Sequence, residues 1–104
     1  MPKQDFGPGK LSGYYSIYSG ALGDEVLLPN KKDAKVRFTI TDRAATRMFD
    51  YMGRGATQKD YCADNEEARA RDNLLCTRDK GTHKTECYFG FDLHSGKSIG
   101  GVVC

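Results

Sequence analysis

Tryptophan is absent from this chain of 104 residues, proline occurs only three times, and no long apolar run is present. A membrane-spanning helix needs about 20 apolar residues in succession, so the sequence predicts no membrane span. An excess of one charge is also lacking, because 16 Lys and Arg residues are balanced by 14 Asp and Glu. With both signs interspersed along the chain, we expect neither nucleic acid nor an anionic membrane as a partner.

The apolar residues make up 38% of the chain and must build a modest core from Tyr, Phe, Leu and Val. A chain of this length is expected to form one domain. Its first ten residues contain Pro2, Gly7, Pro8 and Gly9, which predict a flexible tail. We therefore divide the chain into an N-terminal tail, 1–10, and a single disulfide-stabilised domain, 11–104.

The number of cysteines is even, which indicates disulfides because short chains with thin cores are often cross-linked. The four residues are Cys62, Cys76, Cys87 and Cys104. Free buried thiols are the alternative. No C-x-x-C occurs and the intervals match no common zinc site, so we expect neither a metal nor a cofactor.

The N-terminus bears on the cellular compartment. Met1 is followed by the polar residues 2–5 and not by an apolar segment, so we expect no signal peptide in this sequence. Disulfides require an oxidising compartment, and the combination predicts the mature form of a periplasmic or secreted protein. The alternative is a cytosolic protein with unpaired cysteines.

Hydrophobic periodicity predicts strands and one helix in the first half of the chain. The tyrosine-rich segment 14–18 and residues 26–28 indicate two strands, and alternating apolar residues over 36–40 mark a third. Apolar residues then recur at helical spacing over 42–52, with Thr41 or Asp42 as the N-cap. We expect an α+β fold in which an antiparallel sheet of four to six strands carries this helix across one face.

The polar segment after that helix predicts a second, shorter helix. Asp64 and Glu67 have the spacing of a capping box, which favours one or two helical turns over 65–71. The last third then predicts strands at 74–77, 87–93 and 99–104, with two-residue loops at Gly81-Thr82 and Ser95-Gly96.

Those two loops place Cys87 opposite Cys76 on one side and opposite Cys104 on the other. Counting hydrogen-bonded pairs outward from each loop, Cys87–Cys104 falls on a non-hydrogen-bonded site, where side chains approach more closely. Cys76–Cys87 falls on a hydrogen-bonded site. We therefore prefer disulfides Cys87–Cys104 and Cys62–Cys76, and keep Cys62–Cys104 with Cys76–Cys87 as the alternative.

No set of residues in the sequence argues for catalysis. His83 and His94 lie in the predicted turns, and the cysteines they would need as nucleophiles are expected to be paired. Ser95 lacks the strand–turn–helix context that activates a serine. Nothing in the sequence pairs the acids Asp42, Asp50 and Asp92, so we expect a protein that is not an enzyme.

Tyrosine is the feature that most suggests binding, because it combines apolar area with a polar tip and is enriched at protein interfaces. The chain has six tyrosines, at positions 14, 15, 18, 51, 61 and 88. They are expected to cover the outer sheet face or a second core, and the functional alternative is an interaction surface. Further candidates for partner contact come from the polar segment, the outer sheet face and the two hairpin tips: Glu66, Arg69, Arg71, His83, Tyr88 and His94.

Three segments and the terminal cysteine carry a resemblance to known proteins. The segments are FTITDRAATRMFDYM (38–52), LLCT (74–77) and ECYFGFDLHSGK (86–97). Together they resemble small periplasmic proteins of Gram-negative bacteria. These include immunity proteins that block secreted toxins acting on cell wall or lipid. The resemblance covers roughly residues 35–104 and implies an inhibitor that occludes a toxin or a cell-envelope hydrolase. The alternative is a periplasmic protein that binds a small ligand or envelope component near Met48 and Met52.

Overall fold

The computed structural model describes residues 8–20, 27–58 and 65–102. Within these residues one antiparallel sheet of seven strands carries a single α-helix, so the fold is α+β as predicted. The strand count is one above the predicted range. The elements are β1 Ser12–Tyr18, β2 Lys35–Thr41, α1 Asp42–Met52, a 3₁₀ helix Arg54–Ala56, β3 Thr57–Gln58, β4 Glu66–Arg71, β5 Leu74–Asp79, β6 Thr85–Asp92 and β7 Ser98–Ile99.

The order across the sheet is β1-β2-β6-β5-β4-β3. β7 pairs with the C-terminal part of β6, next to β5, which pairs with its N-terminal part. β1 and β3 are therefore the two ends of the main strand order, and β7 is a further short strand that pairs on one side only. Of the predicted strand at 26–28, the described part is an isolated bridge between Leu27 and Ser19.

α1 packs across β2, β6, β5 and β4 and closes the core. Ala45 and Phe49 on the helix are fully buried against Ile40, Cys76 and Cys87 of the sheet. This agrees with the apolar spacing over 42–52, which places one stripe of the helix on the sheet.

The two ends of α1 differ from a standard helix. Thr41 is the N-cap, as one of the two predicted positions, but its side chain makes no cap hydrogen bond. Asp42 begins the helix at φ 58°. The helix ends because Gly53 adopts φ 75°, a conformation that costs glycine little.

β4 corrects the predicted helical turns at 65–71. The segment Glu66–Arg71 pairs with β5 along its length and with β3 at Ala68 and Arg69. Both of those residues are buried. A strand supplies them with neighbours on two sides, and this outweighs the local capping-box signal between Asp64 and Glu67. A two-residue turn, with Asp72 at φ 50°, joins β4 to β5.

The β5–β6 hairpin has the predicted register, with Cys76 opposite Cys87, but a longer loop. Asp79 N–H donates to Lys84 C=O at 2.9 Å, so the loop has four residues, Lys80–His83, and not two. Moving the closing pair outward by one residue reverses the hydrogen-bond alternation. Cys76 and Cys87 therefore occupy a non-hydrogen-bonded site.

These two cysteines form a disulfide, with their Cα atoms 4.0 Å apart. The preferred pairings Cys87–Cys104 and Cys62–Cys76 are therefore wrong, and the Cys76–Cys87 bond of the alternative is confirmed. The preferred pairing was wrong because a two-residue β5–β6 loop was assumed. With the four-residue loop, Cys76 and Cys87 occupy the non-hydrogen-bonded site, where side chains approach more closely. Cys62 and Cys104 lie outside the described residues, and their pairing stays a prediction.

The β6–β7 hairpin likewise has a four-residue loop, Leu93–Gly96, closed by a bond from Asp92 N–H to Lys97 C=O at 2.9 Å. Phe91 is consequently opposite Ser98 and not Gly100, a shift of two residues from the predicted register. That shift removes Cys104 from the position opposite Cys87. Pairing in the described part of the predicted strand 99–104 stops at Ile99, and its last two residues lie outside the description.

Candidate protein-binding groove

The tyrosines of β1 alternate between the two faces of an edge strand. Tyr14 and Tyr15 are 72% and 69% exposed, whereas Tyr18 is buried. Tyr51, on the last turn of α1, is exposed as well. Tyr61 lies outside the described residues. Three of the tyrosines predicted to form a surface are therefore available to a partner.

A groove runs between α1 and the strand β1. Leu11, itself largely exposed, lines both of its cavities, one of about 440 Å³ and one of about 210 Å³. The larger cavity is bounded by residues 9–11 and by Arg43, Ala44, Arg47, Met48 and Tyr51. The smaller one is bounded by residues 11–15 with Phe38 and Ile40. We call these two cavities together the helix–strand groove.

The rim of the larger cavity is basic. Lys10, Arg43 and Arg47 are among its lining residues, and the described lining contains no Asp or Glu. Arg47 stacks on Tyr51, with its guanidinium carbon 5.0 Å from the ring centroid, and donates to the phenol oxygen at 3.0 Å. This pair fixes an aromatic ring at the rim, where it offers apolar area without much loss of freedom on binding.

An aromatic row continues the sheet surface beyond the helix. The rings of Phe38 and Phe89 lie 5.2 Å apart, and Phe89 meets Phe91 edge-on at 6.1 Å. Phe91 is partly exposed, as is Ile17 on β1. The pairing of β1, β2 and β6 puts these residues on the same face of the sheet as the buried Ile40 and Cys87, so the apolar surface of the core extends outward past α1.

Arg69 belongs to the core and not to the surface. Its guanidinium lies over the Phe49 ring at 4.0 Å, and Arg78 covers the same ring at 4.2 Å. Arg69 also donates to the Phe49 carbonyl at 2.8 Å. Arg78 pairs with Asp50 at 3.1 Å. A buried ring held between two cations is a packing arrangement, so the structure gives Arg69 a place in stability.

The other predicted contact residues are scattered. Glu66 and Tyr88 lie on the sheet face away from α1, and Tyr88 donates to Glu86 at 3.0 Å. Arg71 is exposed at the end of β4. His83 and His94 lie in the loops at opposite ends of β6, which at about 3.3 Å per residue keeps them roughly 25 Å apart. The six candidates therefore form no single patch.

An aspartate organises each of those two loops. Asp79 accepts hydrogen bonds from the N–H groups of Thr82 and Gly81, and these bonds lower the pKa of its carboxyl below 3.8. Asp92 accepts from Ser95 and His94 in the same way, and its pKa is lowered for the same reason. The carboxylates serve the turns, which explains Asp92 without a catalytic role.

The residues considered for chemistry are not brought together. His83 and His94 are separated by β6, and the Ser95 hydroxyl accepts from Lys97 N–H at 3.2 Å as part of its turn. Across the described ranges, no group of three His, Cys, Asp or Glu side chains has the arrangement of a metal site. The eleven-residue α1 is too short to span a bilayer, and no other described helix does so.

Sequence reasoning missed the groove itself. Lys10 and Leu11 lie at the predicted boundary between tail and domain, and Met48 was considered only as part of the helix stripe or of a small-ligand site between helix and sheet. The signal available was the basic pair Arg43 and Arg47, which a helical repeat of four residues places on one side of α1. No protein-family model, no curated protein and no solved structure matches the chain.

Proposed function

We propose that this protein is an exported, non-enzymatic inhibitor that binds a secreted toxin or cell-envelope hydrolase through the helix–strand groove. The observation that carries the proposal is the exposed apolar groove with its basic rim. Its lining includes Met, Tyr and Arg side chains, which are enriched at protein interfaces. The disulfide supports an oxidising compartment, where such hydrolases act.

The rim defines the partner surface. Three cations face the groove, so the matching region of the partner is acidic around an apolar anchor. The anchor enters beside Met48 and Leu11, and Tyr51 closes over its edge. Rim charges mainly raise the association rate, whereas the buried anchor sets the lifetime of the complex.

Site-specific photo-crosslinking identifies the partner. A benzophenone amino acid at Tyr51, in the groove, is expected to capture one enzyme in the native host. The same probe at Lys97, an exposed residue directly after the β6–β7 loop, is the matched control and should not capture it. The captured enzyme, once purified, should lose activity when this protein is added in excess. An enzyme that stays fully active when saturated would show that binding is not inhibition.

Charge reversal at the rim then tests the groove. Arg43→Glu should lower the association rate constant by roughly tenfold at low salt, with a smaller effect at high salt. Arg54→Glu reverses an equally exposed arginine that does not line the groove, and it should leave the rate unchanged. Equal effects of the two variants would mean that overall charge, and not the groove, guides binding.

A small-ligand function is the second candidate, supported by the cavity next to Met48. That cavity is an open groove with exposed Leu11 and Tyr51 at its margin, and a small apolar ligand is usually enclosed on most sides. Protein binding is therefore the better match. Calorimetric titration with the purified enzyme, and separately with envelope lipids or glycan fragments, distinguishes the two functions, because only one class of ligand should bind.

A further inference from the structure

The outer edge of β1 presents backbone hydrogen-bonding groups away from the sheet. Ser19 exchanges hydrogen bonds with Leu27 on the side opposite β2, at 2.9 and 3.3 Å. Alternate residues of a strand direct their N–H and C=O groups to the same side. Gly13, Tyr15 and Ile17 therefore point theirs outward as well.

The hydrogen bonds between β2 and β6 lead to the same set of outward-pointing residues on β1. Leu93 N–H donates to Ala34 C=O at 2.9 Å, which makes Ala34–Leu93 a hydrogen-bonded pair between the segments of β2 and β6. Alternation from this pair turns the groups of Lys35 and Arg37 toward β1, opposite Tyr18 and Ser16. The even-numbered residues of β1 are thus bonded inward, and the odd-numbered residues are the outward ones.

Among the described residues, nothing protects this edge in the ways that proteins usually protect an edge strand. β1 is seven residues long and contains no charged residue and no proline. Such edges are normally shortened, charged or covered, because they pair readily with other strands. Within the described residues β1 pairs along its length only with β2, and Tyr14, Tyr15 and Ile17 are exposed.

We propose that β1 pairs antiparallel with β1 of a second copy of this chain, with Tyr15 on the two-fold axis. The sheet is then continuous across a homodimer. The outward residues are symmetric about Tyr15, so Tyr15 faces Tyr15 and Gly13 faces Ile17 at hydrogen-bonded positions, each pair exchanging two N–H···O bonds. Isologous pairing of this kind is the usual symmetry of a dimer.

The side chains fit this register. Ile17, 47% exposed in one copy, lies opposite Gly13 of the other copy, which has no side chain to obstruct it. Gly13 is required within its own chain, because a Cβ there would lie 2.0 Å from the Thr39 carbonyl oxygen. The two strands are neutral, so identical edges meet without like-charge repulsion.

The length of the edge also matches a second copy. The bridge from Ser19 to Leu27 occupies the outer side of the chain just after β1, and an added strand cannot pair beyond it. In the proposed register Tyr18 faces Ser12, the first residue of β1, so the partner strand ends where the bridge begins. An unrelated strand has no reason to share this limit. Residues 12–15 of β1 also line the smaller cavity of the groove, so the dimer and the proposed inhibitor site share part of this strand. Ile17 lines neither cavity, so a substitution there tests the dimer without altering the groove lining.

Sedimentation velocity over a concentration series tests the dimer. The wild-type chain of 11.5 kDa should approach twice that mass as concentration rises. Ile17→Pro removes an outward N–H without breaking a hydrogen bond to β2, and Ile17→Lys adds a charge to the edge. Each should weaken dimerisation at least about tenfold with an unchanged circular dichroism spectrum. Leu28→Lys changes an 87% exposed leucine outside β1 and should dimerise like the wild type.

Amide hydrogen exchange tests the register independently. Protection of Gly13, Tyr15 and Ile17 should increase with protein concentration, whereas Tyr14 and Ser16, bonded to β2, should not change. Arg43→Glu, at the groove, should leave this pattern intact. The proposal is overturned by a chain that stays monomeric at every concentration, by a dimer that neither Ile17 variant weakens, or by concentration-dependent protection at other residues.

Discussion

Arg69 illustrates how a charged residue can occupy the core of a small domain. Its guanidinium covers the Phe49 ring, donates to the Phe49 carbonyl at 2.8 Å and pairs with Glu67 at 3.1 Å. The carbonyl belongs to the last turn of α1, where the helix dipole favours a positive charge. Each of these contacts offsets part of the cost of removing the cation from water.

Arg69 and Arg71 provide a matched test of this arrangement, because both lie on β4 and on the same face. Arg69→Met should lower the free energy of unfolding by about 2 kcal/mol, since a charged hydrogen bond to a buried carbonyl is lost. Arg71→Met, at an exposed position, should change it by less than about 0.5 kcal/mol. Urea denaturation of both variants measures the difference. Similar values would contradict a structural role for Arg69.

The sequence shows these two arginines as equivalent members of one charged run. Alternation could place them on one face once β4 is known to be a strand, but no local signal tells which of them lies beneath α1. Phe49 decides this, and it is 20 residues earlier in the chain. Burial of Arg69 was therefore not accessible to sequence reasoning, which grouped it with the surface candidates.

Among the elements, the helix and the strands with clear alternation were predicted correctly, whereas β4 and the turns were not. Val36, Phe38 and Ile40 alternate, and α1 has the predicted bounds, because periodicity is a local property that packing preserves. Loop length is not determined in that way. Gly81-Thr82 and Ser95-Gly96 have the composition of two-residue loops, yet the carboxylates of Asp79 and Asp92 accept backbone N–H bonds that stabilise four-residue loops. The aspartate preceding each loop was the available signal.

Tryptic mapping without reduction checks the resulting disulfide. Each cysteine lies in its own tryptic peptide, at 60–69, 72–78, 85–97 and 98–104. The structure predicts that 72–78 is joined to 85–97. The remaining peptides, 60–69 and 98–104, should then be joined to each other if both disulfides of the alternative form. A species joining 85–97 to 98–104 would contradict the Cys76–Cys87 bond.

The segment after β7 offers another matched pair of substitutions. A Cβ on Gly101 would lie 2.6 Å from the backbone nitrogen of Phe89, whereas one on Gly100 meets no described atom within 4 Å. Gly101→Ala should therefore destabilise the fold by about 1–3 kcal/mol through forced displacement of the chain from β6. Gly100→Ala should have an effect below about 0.5 kcal/mol. Thermal unfolding followed by circular dichroism compares them directly, and equal midpoints would contradict this close approach.

At the scale of the whole molecule, three carboxylates make stability depend on acidity. The pKa of Asp33 is lowered below 3.8 by the hydrogen bond from Gly20 N–H and by Lys35, and loop hydrogen bonds lower the pKa of Asp79 and Asp92. The folded state therefore holds these protons less tightly than the unfolded chain. Their contribution to stability is present above pH 3.8 and is lost as the pH falls through the lowered values.

The free energy of unfolding should therefore decrease in acid. In a variant with all three aspartates replaced by asparagine, this decrease should be smaller. Asparagine keeps an oxygen that accepts the same N–H bonds but cannot be protonated in this range. Urea titrations at about pH 6 and about pH 3 measure the decrease for both proteins. An equal decrease would assign the acid sensitivity to other groups.

The fold class emerged from the sequence because it depends on repeated local patterns, whereas the groove depends on where distant segments meet. Leu11 and Met48 line the same cavity although 37 positions separate them, and no periodic feature relates them. The exposed tyrosines on β1 were recognisable as an interaction signal. Their position on an open edge was not, since edge order is a property of the assembled sheet.

The Cys76–Cys87 bond also has a mechanical consequence. When the chain is pulled from its ends, the loop between these residues cannot extend, because tension passes through the sulfur atoms. The bond bypasses a sequence separation of 11 residues, which at about 3.3–3.6 Å per residue withholds roughly 35–40 Å of contour length. The β5–β6 hairpin thus acts as a fixed link, and extension under load must come from the chain on either side of it.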